Sequence, residues 1–312
     1  ERARRADALG LDYIFFAERH FMPLYRAATP ALLLAALAGT TSHARLGVLA
    51  WTLAMHNPVL LAEQISTLDH LTGGRLEVGI GLGHRPQEIA ALGIPAEHRR
   101  AIFLEALSVM RTAWRGEPFS HDGAMFHLRD VLVDPPAQRP HPPLWFAGND
   151  PTIATWAGRT GLNLALGFQP DSALQAPATA FAAARGEGSG ARLAVMRNVY
   201  IAADDATARE EMVGDLVRVS EQLRANPALT TEPVGNVLTA DEADGQRARL
   251  LEQQTVVAGG PATVAREIAA TLRALNADVF LANLHLAGVD DARLAANLDR
   301  YVHDVIPRVR AE

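Results

Sequence analysis

One pattern governs what this chain can fold into: a short apolar run, then a capped helical segment, repeated along most of its 312 residues. Tyr13-Ile14-Phe15-Phe16-Ala17 ends at Glu18-Arg19-His20, and Thr29-Pro30 then opens an apolar helix with a cap and a first-turn proline. Arg45 to Trp51 is the next strand, and Asn57-Pro58 starts a helix that closes at Gly73-Gly74. Further runs lie at Leu76–Gly81, Leu144–Ala147, Leu162–Leu166, Leu193–Ile201 and Val279–Leu284, with a closing helix near Leu294–Val305. The runs lack strict alternation, as expected of strands buried on both faces.

Strand followed by helix, repeated with short turns, predicts an α/β protein with a parallel sheet covered by helices. Seven such strands fall one short of a closed (β/α)8 barrel, and the eighth is expected ahead of Glu1, where the chain already reads as helix. An open doubly wound sheet is the alternative. Residues 1–312 are read as one domain, with an irregular proline-rich excursion at about 116–143 and a mostly helical insertion at about 204–254.

Composition removes several classes of function. Hydrophobic residues make up 49% and charged residues 21%, an ordinary globular balance. The formal charge of −6 offers no basic footprint for nucleic acid. There is no cysteine, hence no disulfide, thiolate ligand or cysteine nucleophile, and every basic residue is arginine, which excludes Schiff-base lysines and the P-loop lysine. The eleven histidines are scattered without HExxH-like spacing, so no metal is expected. No apolar stretch is long enough to span a bilayer and no leader is visible, which fits a cytoplasmic protein.

In a barrel of this kind the chemistry sits at the C-terminal ends of the strands. That rule selects Glu18 and His20, Ala50 to Thr52, Gly81 to Arg85, Gly148 to Asp150, Gly167 to Gln169, Arg197 to Tyr200 and Asn283 to His285. His20 reads as a general base or cofactor-ring contact, or as a histidine that merely orders a loop. Gly79-Ile80-Gly81-Leu82-Gly83 begins like a dinucleotide fingerprint but has His84 where the third glycine belongs. Its glycines suit a flat ligand lying close to the backbone, or a tight strand-to-helix turn. Gly148-Asn149-Asp150-Pro151 opens a helix whose N–H groups suit a phosphate, although Asp150 is itself a good cap; Arg85 and Arg197 are the candidate counter-charges. His121 and His127 read as solvated.

Several segments resemble the luciferase-like monooxygenases. They are Asp12 to Phe21, Thr40-Thr41 to Gly47, the block from Asn57 through Gly83, Trp145 to Gly148, and Asp304-Val305-Ile306-Pro307. The resemblance implies a luciferase-like (β/α)8 barrel that binds reduced FMN or the deazaflavin F420 at its mouth. It also implies a non-proline cis peptide at Leu49-Ala50. Where the family usually reads Glu-His-His, this chain reads Glu18-Arg19-His20, which leaves His20 as the proton-handling residue. The family's phosphate-binding arginine is matched by Leu82, which moves that role toward Arg85, and a family carboxylate is matched by Asn149.

The leading expectation is therefore an oxidoreductase that uses reduced FMN and O2 to oxygenate a small organic substrate, such as an aldehyde, ketone or aromatic compound. Its cofactor site is expected from Leu49, Ala50, Gly83, His84, Arg85, Gly148, Asn149 and Asp150, and its substrate pocket from Glu18, Trp51, Phe168 and His285. A separate flavin reductase and a homodimer are the expected partners, with apolar helix faces such as Leu32 to Leu37 available for the latter. The alternatives are F420-dependent hydride transfer and a non-catalytic flavin-binding subunit.

Overall fold

The computed structural model describes residues 1–21, 27–83, 85–138, 141–186, 188–226, 230 and 234–312. The described residues form two compact units, one within residues 1–147 and the other from Gly148–Glu312.

The first unit carries α1 (Arg2–Ala8), β1 (Tyr13–Phe16), α2 (Pro30–Ala38), β2 (Arg45–Thr52), α3 (Pro58–Leu71), β3 (Leu76–Gly81), α4 (Pro86–Ala91), α5 (Arg99–Ala113), a hairpin β4 (Phe119–Asp122) and β5 (His127–Val131), and β6 (Leu144–Ala147). Its parallel strands run in the order β1-β2-β3-β6, and every residue of β3 is buried. A strand packed on both faces has no solvent side, which is why its sequence does not alternate. Asn57 caps α3 by accepting from the N–H groups of Val59 and Leu60, with Pro58 in the first turn. The Leu49–Ala50 peptide is cis, and the register of β2 on β3 shifts between Val48 and Trp51.

The base of this unit is tied by Glu77. Its buried carboxylate accepts from Trp145 Nε1 at 2.6 Å and pairs with Arg45. The Trp145 ring meets Tyr13 and Phe15 edge-on, with centroids 6.2 and 6.1 Å apart.

The second unit carries α6 (Pro151–Arg159), β7 (Asn163–Gly167), α7 (Asp171–Ala184), β8 (Leu193–Ile201), α8 (Asp205–Ala225), α9 (Ala240–Glu252), β9 (Val256–Gly259), α10 (Pro261–Leu275), β10 (Val279–Asn283), α11 (Asp291–Arg300) and α12 (Ile306–Ala311). β8 pairs in parallel with β7 along Leu193–Met196, with β10 along Ala194–Asn198 and with β9 along Asn198–Ile201.

Two departures from the sequence reading stand out. The segment 116–143 is not wholly irregular, because β4 and β5 form an antiparallel ladder within it. The sequence reading also passed over β9 and α10 between Gln254 and Val279. The four apolar residues of β9 are too few for a periodicity, although Gly260-Pro261 is a clear helix opening. Among the described residues, no helix is long and apolar enough to cross a membrane.

Candidate active site

The chemistry-bearing side chains of the first unit converge on one buried carboxylate. Glu18, two residues past β1, is 3% exposed. Its Oε2 accepts the Thr52 N–H at 2.9 Å, and its Oε1 lies 2.8 Å from His56 Nε2. His20 Nε2 stands 3.6 Å from the same Oε1, beyond hydrogen-bond reach, and is a buried nitrogen with no partner. The His20 backbone N–H donates to Glu88 Oε1 at 3.4 Å, which anchors the loop to α4. Arg19 does not reach into the cluster in the manner of a second histidine; its Nη1 donates back to the Glu18 carbonyl at 3.0 Å.

Local folding explains this convergence. The turn Leu53–Met55 follows β2 directly, and His56 closes it with an N–H to the Leu53 carbonyl at 3.2 Å. The imidazole of His56 is thereby returned toward the end of the neighbouring strand β1. Sequence reasoning missed His56 because it stopped at the last strand residue, Thr52. It missed Glu88 because a carboxylate in the first turn of a helix reads as a dipole complement. A wider window past the end of β2 would have found His56.

The three glycines at the end of β3 and just past it, Gly79, Gly81 and Gly83, have different causes. A Cβ on Gly79 would stand 2.5 Å from the Val48 carbonyl oxygen, so the approach of β2 requires that glycine. Gly83 has φ +73° and a Cβ there would stand 2.6 Å from Thr52 Cγ2. At Gly81 a Cβ would meet Ala50 Cβ at 3.5 Å, an ordinary contact, so spacing alone does not demand glycine there. Ala50 and Gly81 thus put two small residues side by side at the ends of β2 and β3. Beside it the Gly83 carbonyl accepts from Arg99 Nη1 at 3.0 Å, and Arg85 holds a buried Nε with no partner. His84, expected among the cofactor contacts, lies outside the described residues. Trp51, expected as a pocket wall, is 1% exposed and belongs to the core.

The second unit places its expected residues differently. The Gly148 N–H donates to the Ala165 carbonyl, and the Asn149 side chain brackets Gly167, donating to its carbonyl and accepting its N–H, both at 3.0 Å. Asp150 accepts from the N–H groups of Thr152 and Ile153, so the helix-start donors considered for a phosphate already have an internal anion. Arg197 is fully buried and paired to Asp171 at 2.7 Å; burial lowers its guanidinium from the ordinary value and Asp171 opposes that. This excludes Arg197 as a free counter-charge. Phe168 is 44% exposed at φ 57°, and His285 is exposed beside Asn283.

His121 corrects the reading of a solvated loop histidine, since its Nε2 lies 3.1 Å from Glu105 Oε1; His127 is exposed beside Asp122. Among the described residues, no group of three His, Asp or Glu side chains is placed to hold a metal.

The profile of the luciferase-like monooxygenase family matches residues 1–278. The chain belongs to that family. An uncharacterized protein of Sinorhizobium fredii is 41% identical over 52% of this chain and 48% of its own length. The oxygenase component of the flavin-dependent trigonelline monooxygenase of Acinetobacter baylyi is 30% identical over 53% and 47%. The alignments span about half the length of these two curated relatives. An F420-dependent glucose-6-phosphate dehydrogenase of Beutenbergia cavernae is 29% identical over 98% of this chain and 91% of its own. Among solved structures, the monooxygenase RslO1 of Streptomyces bottropensis superposes with a TM-score of 0.82 over 98% of this chain and 91% of that one, at 24% identity. The fold class is therefore the luciferase-like α/β barrel class, and the family is one of flavin- and F420-dependent oxidoreductases.

Proposed function

We propose that this chain is a flavin-dependent monooxygenase acting with reduced FMN and O2 on a small organic substrate. The observation that carries the reading is the orphaned, buried His20 Nε2 beside the buried Glu18 carboxylate, in the same unit as the small residues Ala50 and Gly81. A planar, polar ring system fits those features: Ala50 and Gly81 put no bulky side chain at the ends of β2 and β3, while His20 Nε2 and Arg85 Nε are buried polar atoms in need of partners. Leu49, Ala50, Gly81 and Arg85 would hold the cofactor. Reduced FMN, when bound, supplies the two electrons that activation of O2 requires.

The chain's own work is then to hold the ring beside Ala50, keep water away and manage one proton at His20 Nε2. An imidazole next to a carboxylate suits that task near neutral pH. A separate flavin reductase would deliver the reduced cofactor, a reading supported by the trigonelline relative being named as an oxygenase component. F420-dependent hydride transfer is the second reading, favoured by the full-length likeness to the glucose-6-phosphate dehydrogenase.

Anaerobic titration with reduced FMN and, separately, reduced F420, followed by admission of air, discriminates these. Tight binding of reduced FMN and air-dependent oxygenation of an added aldehyde or ketone support the monooxygenase. Selective binding of reduced F420 with no consumption of O2 replaces it by hydride transfer. Binding of neither cofactor turns the chain into a non-catalytic partner subunit. In the monooxygenase case, His20→Ala lowers turnover by 10²-fold or more with cofactor affinity within about threefold of wild type. Unchanged turnover removes His20 from the chemistry.

A further inference from the structure

We infer that His56 is a positioning residue: by holding Glu18 Oε1, it withholds that carboxylate from His20 and sets the pH range in which His20 carries its proton. The inference deepens the proposed function and rests on its reading of His20 as the proton-handling group.

The geometry is a competition for one oxygen. Glu18 Oε2 is occupied by the Thr52 N–H at 2.9 Å, so only Oε1 is left to share. His56 Nε2 holds it at 2.8 Å and His20 Nε2 stands off at 3.6 Å, both imidazoles being about a quarter exposed. A neutral imidazole carries one N–H, so in this arrangement His56 donates from Nε2 while His20 Nε2 has no partner. The other charged and titratable groups of the described surroundings come from separate elements. Glu88 on α4 takes the His20 backbone N–H, Arg85 caps α4, Arg99 on α5 holds the Gly83 carbonyl, and Arg19 folds back on the Glu18 carbonyl. None of these contacts places a second carboxylate on the His20 ring.

Two consequences follow from two imidazoles facing one carboxylate. Removing the His56 donor frees Oε1 for His20, which favours the imidazolium and raises the His20 midpoint. In the intact chain both imidazoles draw on the same oxygen, so a proton on one weakens the attraction of Glu18 for a proton on the other.

The test is an NMR titration of the chain labelled with ¹³C,¹⁵N-histidine, with His20 and His56 assigned from His20→Gln and His56→Gln. His56→Phe should raise the His20 midpoint by about one pH unit. His56→Gln, which keeps a side-chain N–H for Glu18, should return it most of the way. In the Glu18→Gln background, His56→Phe should no longer move it upward. A His20 midpoint that stays put or falls in His56→Phe overturns the inference. The wild-type chain tests it without any substitution: each histidine's curve should show both midpoints, and two independent single-step curves overturn the coupling. Because the readout is a chemical shift, its failure is separate from that of the functional reading. Absence of FMN and F420 binding would sink the enzyme while leaving the coupled titration standing.

Discussion

At the scale of single residues, a recurring device in this chain is a buried acid given several donors. Asp7 at the end of α1 accepts the N–H groups of Ser42, His43 and Ala44 at 2.9, 2.9 and 2.7 Å, fastening α1 to the start of β2. Burial pushes its carboxyl up, and the three N–H donors with the Arg75 charge more than offset that, so its folded value lies below the ordinary one. A depressed carboxylate stabilises above its unfolded value and loses that contribution as pH falls through the folded one. Asp7→Asn should therefore be less stable than wild type at pH 6, and the gap should close as pH falls below about 4. Urea unfolding at both pH values checks this; a gap that stays constant removes the carboxylate's role. Glu77 makes a second case. Glu77→Leu strands Arg45 and the Trp145 N–H in the base of the unit, at an expected cost of about 3 kcal/mol in urea unfolding. At this scale the sequence named His20 and Glu18, because both follow directly on a strand. Who holds whom was not legible, since Glu18 meets residues 34 and 38 positions away.

At the scale of elements, two attachments stand on few side chains. The turn of the β4–β5 hairpin is fastened to α5 by Glu105, which accepts from the N–H groups of Met125 and Phe126 and from His121. Burial raises the Glu105 carboxyl, and these donors bring it below the ordinary range. Glu105→Ala should accelerate amide exchange at Met125 and Phe126 by tenfold or more while global unfolding changes little. Equal slowing of exchange in mutant and wild type would show that the ladder alone holds the turn. In the second unit, Arg293 of α11 grips Asp215 of α8 through both terminal nitrogens, at 3.1 and 2.6 Å, and its Nη1 reaches the Tyr200 hydroxyl at 3.3 Å. The same Asp215 and the neighbouring Asp290 raise the Arg293 guanidinium above its ordinary value. Asp215→Ala leaves that guanidinium half-buried without its main partner, and a loss of about 3 kcal/mol in stability is expected. Tyr200→Phe, which removes one weaker contact, should cost about 1 kcal/mol. Caps explain why two of the helices were readable: Asn57 and Asp150 each accept from N–H groups within three residues. The short strand β9 was not readable because it pairs with β8 more than fifty residues away.

At the scale of the whole molecule, α2 and α3 expose an apolar face that carries one part-exposed acid, Glu63. Leu32 is 68% exposed, and Leu60, Gln64, Thr67 and Leu71 form one exposed row along α3. We propose that a second copy of the chain covers this face, because an exposed apolar row gains most by leaving water against a matching apolar surface and one acid per copy adds little repulsion. Sedimentation should then show a dimer at micromolar concentration, and the pair Leu32→Arg with Leu60→Arg should weaken it 100-fold or more; a wild-type monomer at all concentrations overturns this. What the sequence determined by itself was the kind of fold and most of its strands and helices. Those properties are written locally, in buried runs without alternation and in caps a few residues from the groups they satisfy. The tertiary structure decided the rest. It brought His56 to Glu18 and left His20 Nε2 without a partner, it committed Asn149, Asp150 and Arg197 to internal bonds, and it packed Gly79 and Gly83 against β2. Each of those outcomes depends on distances between side chains that lie far apart in the chain, and one register shift would change them without altering a residue.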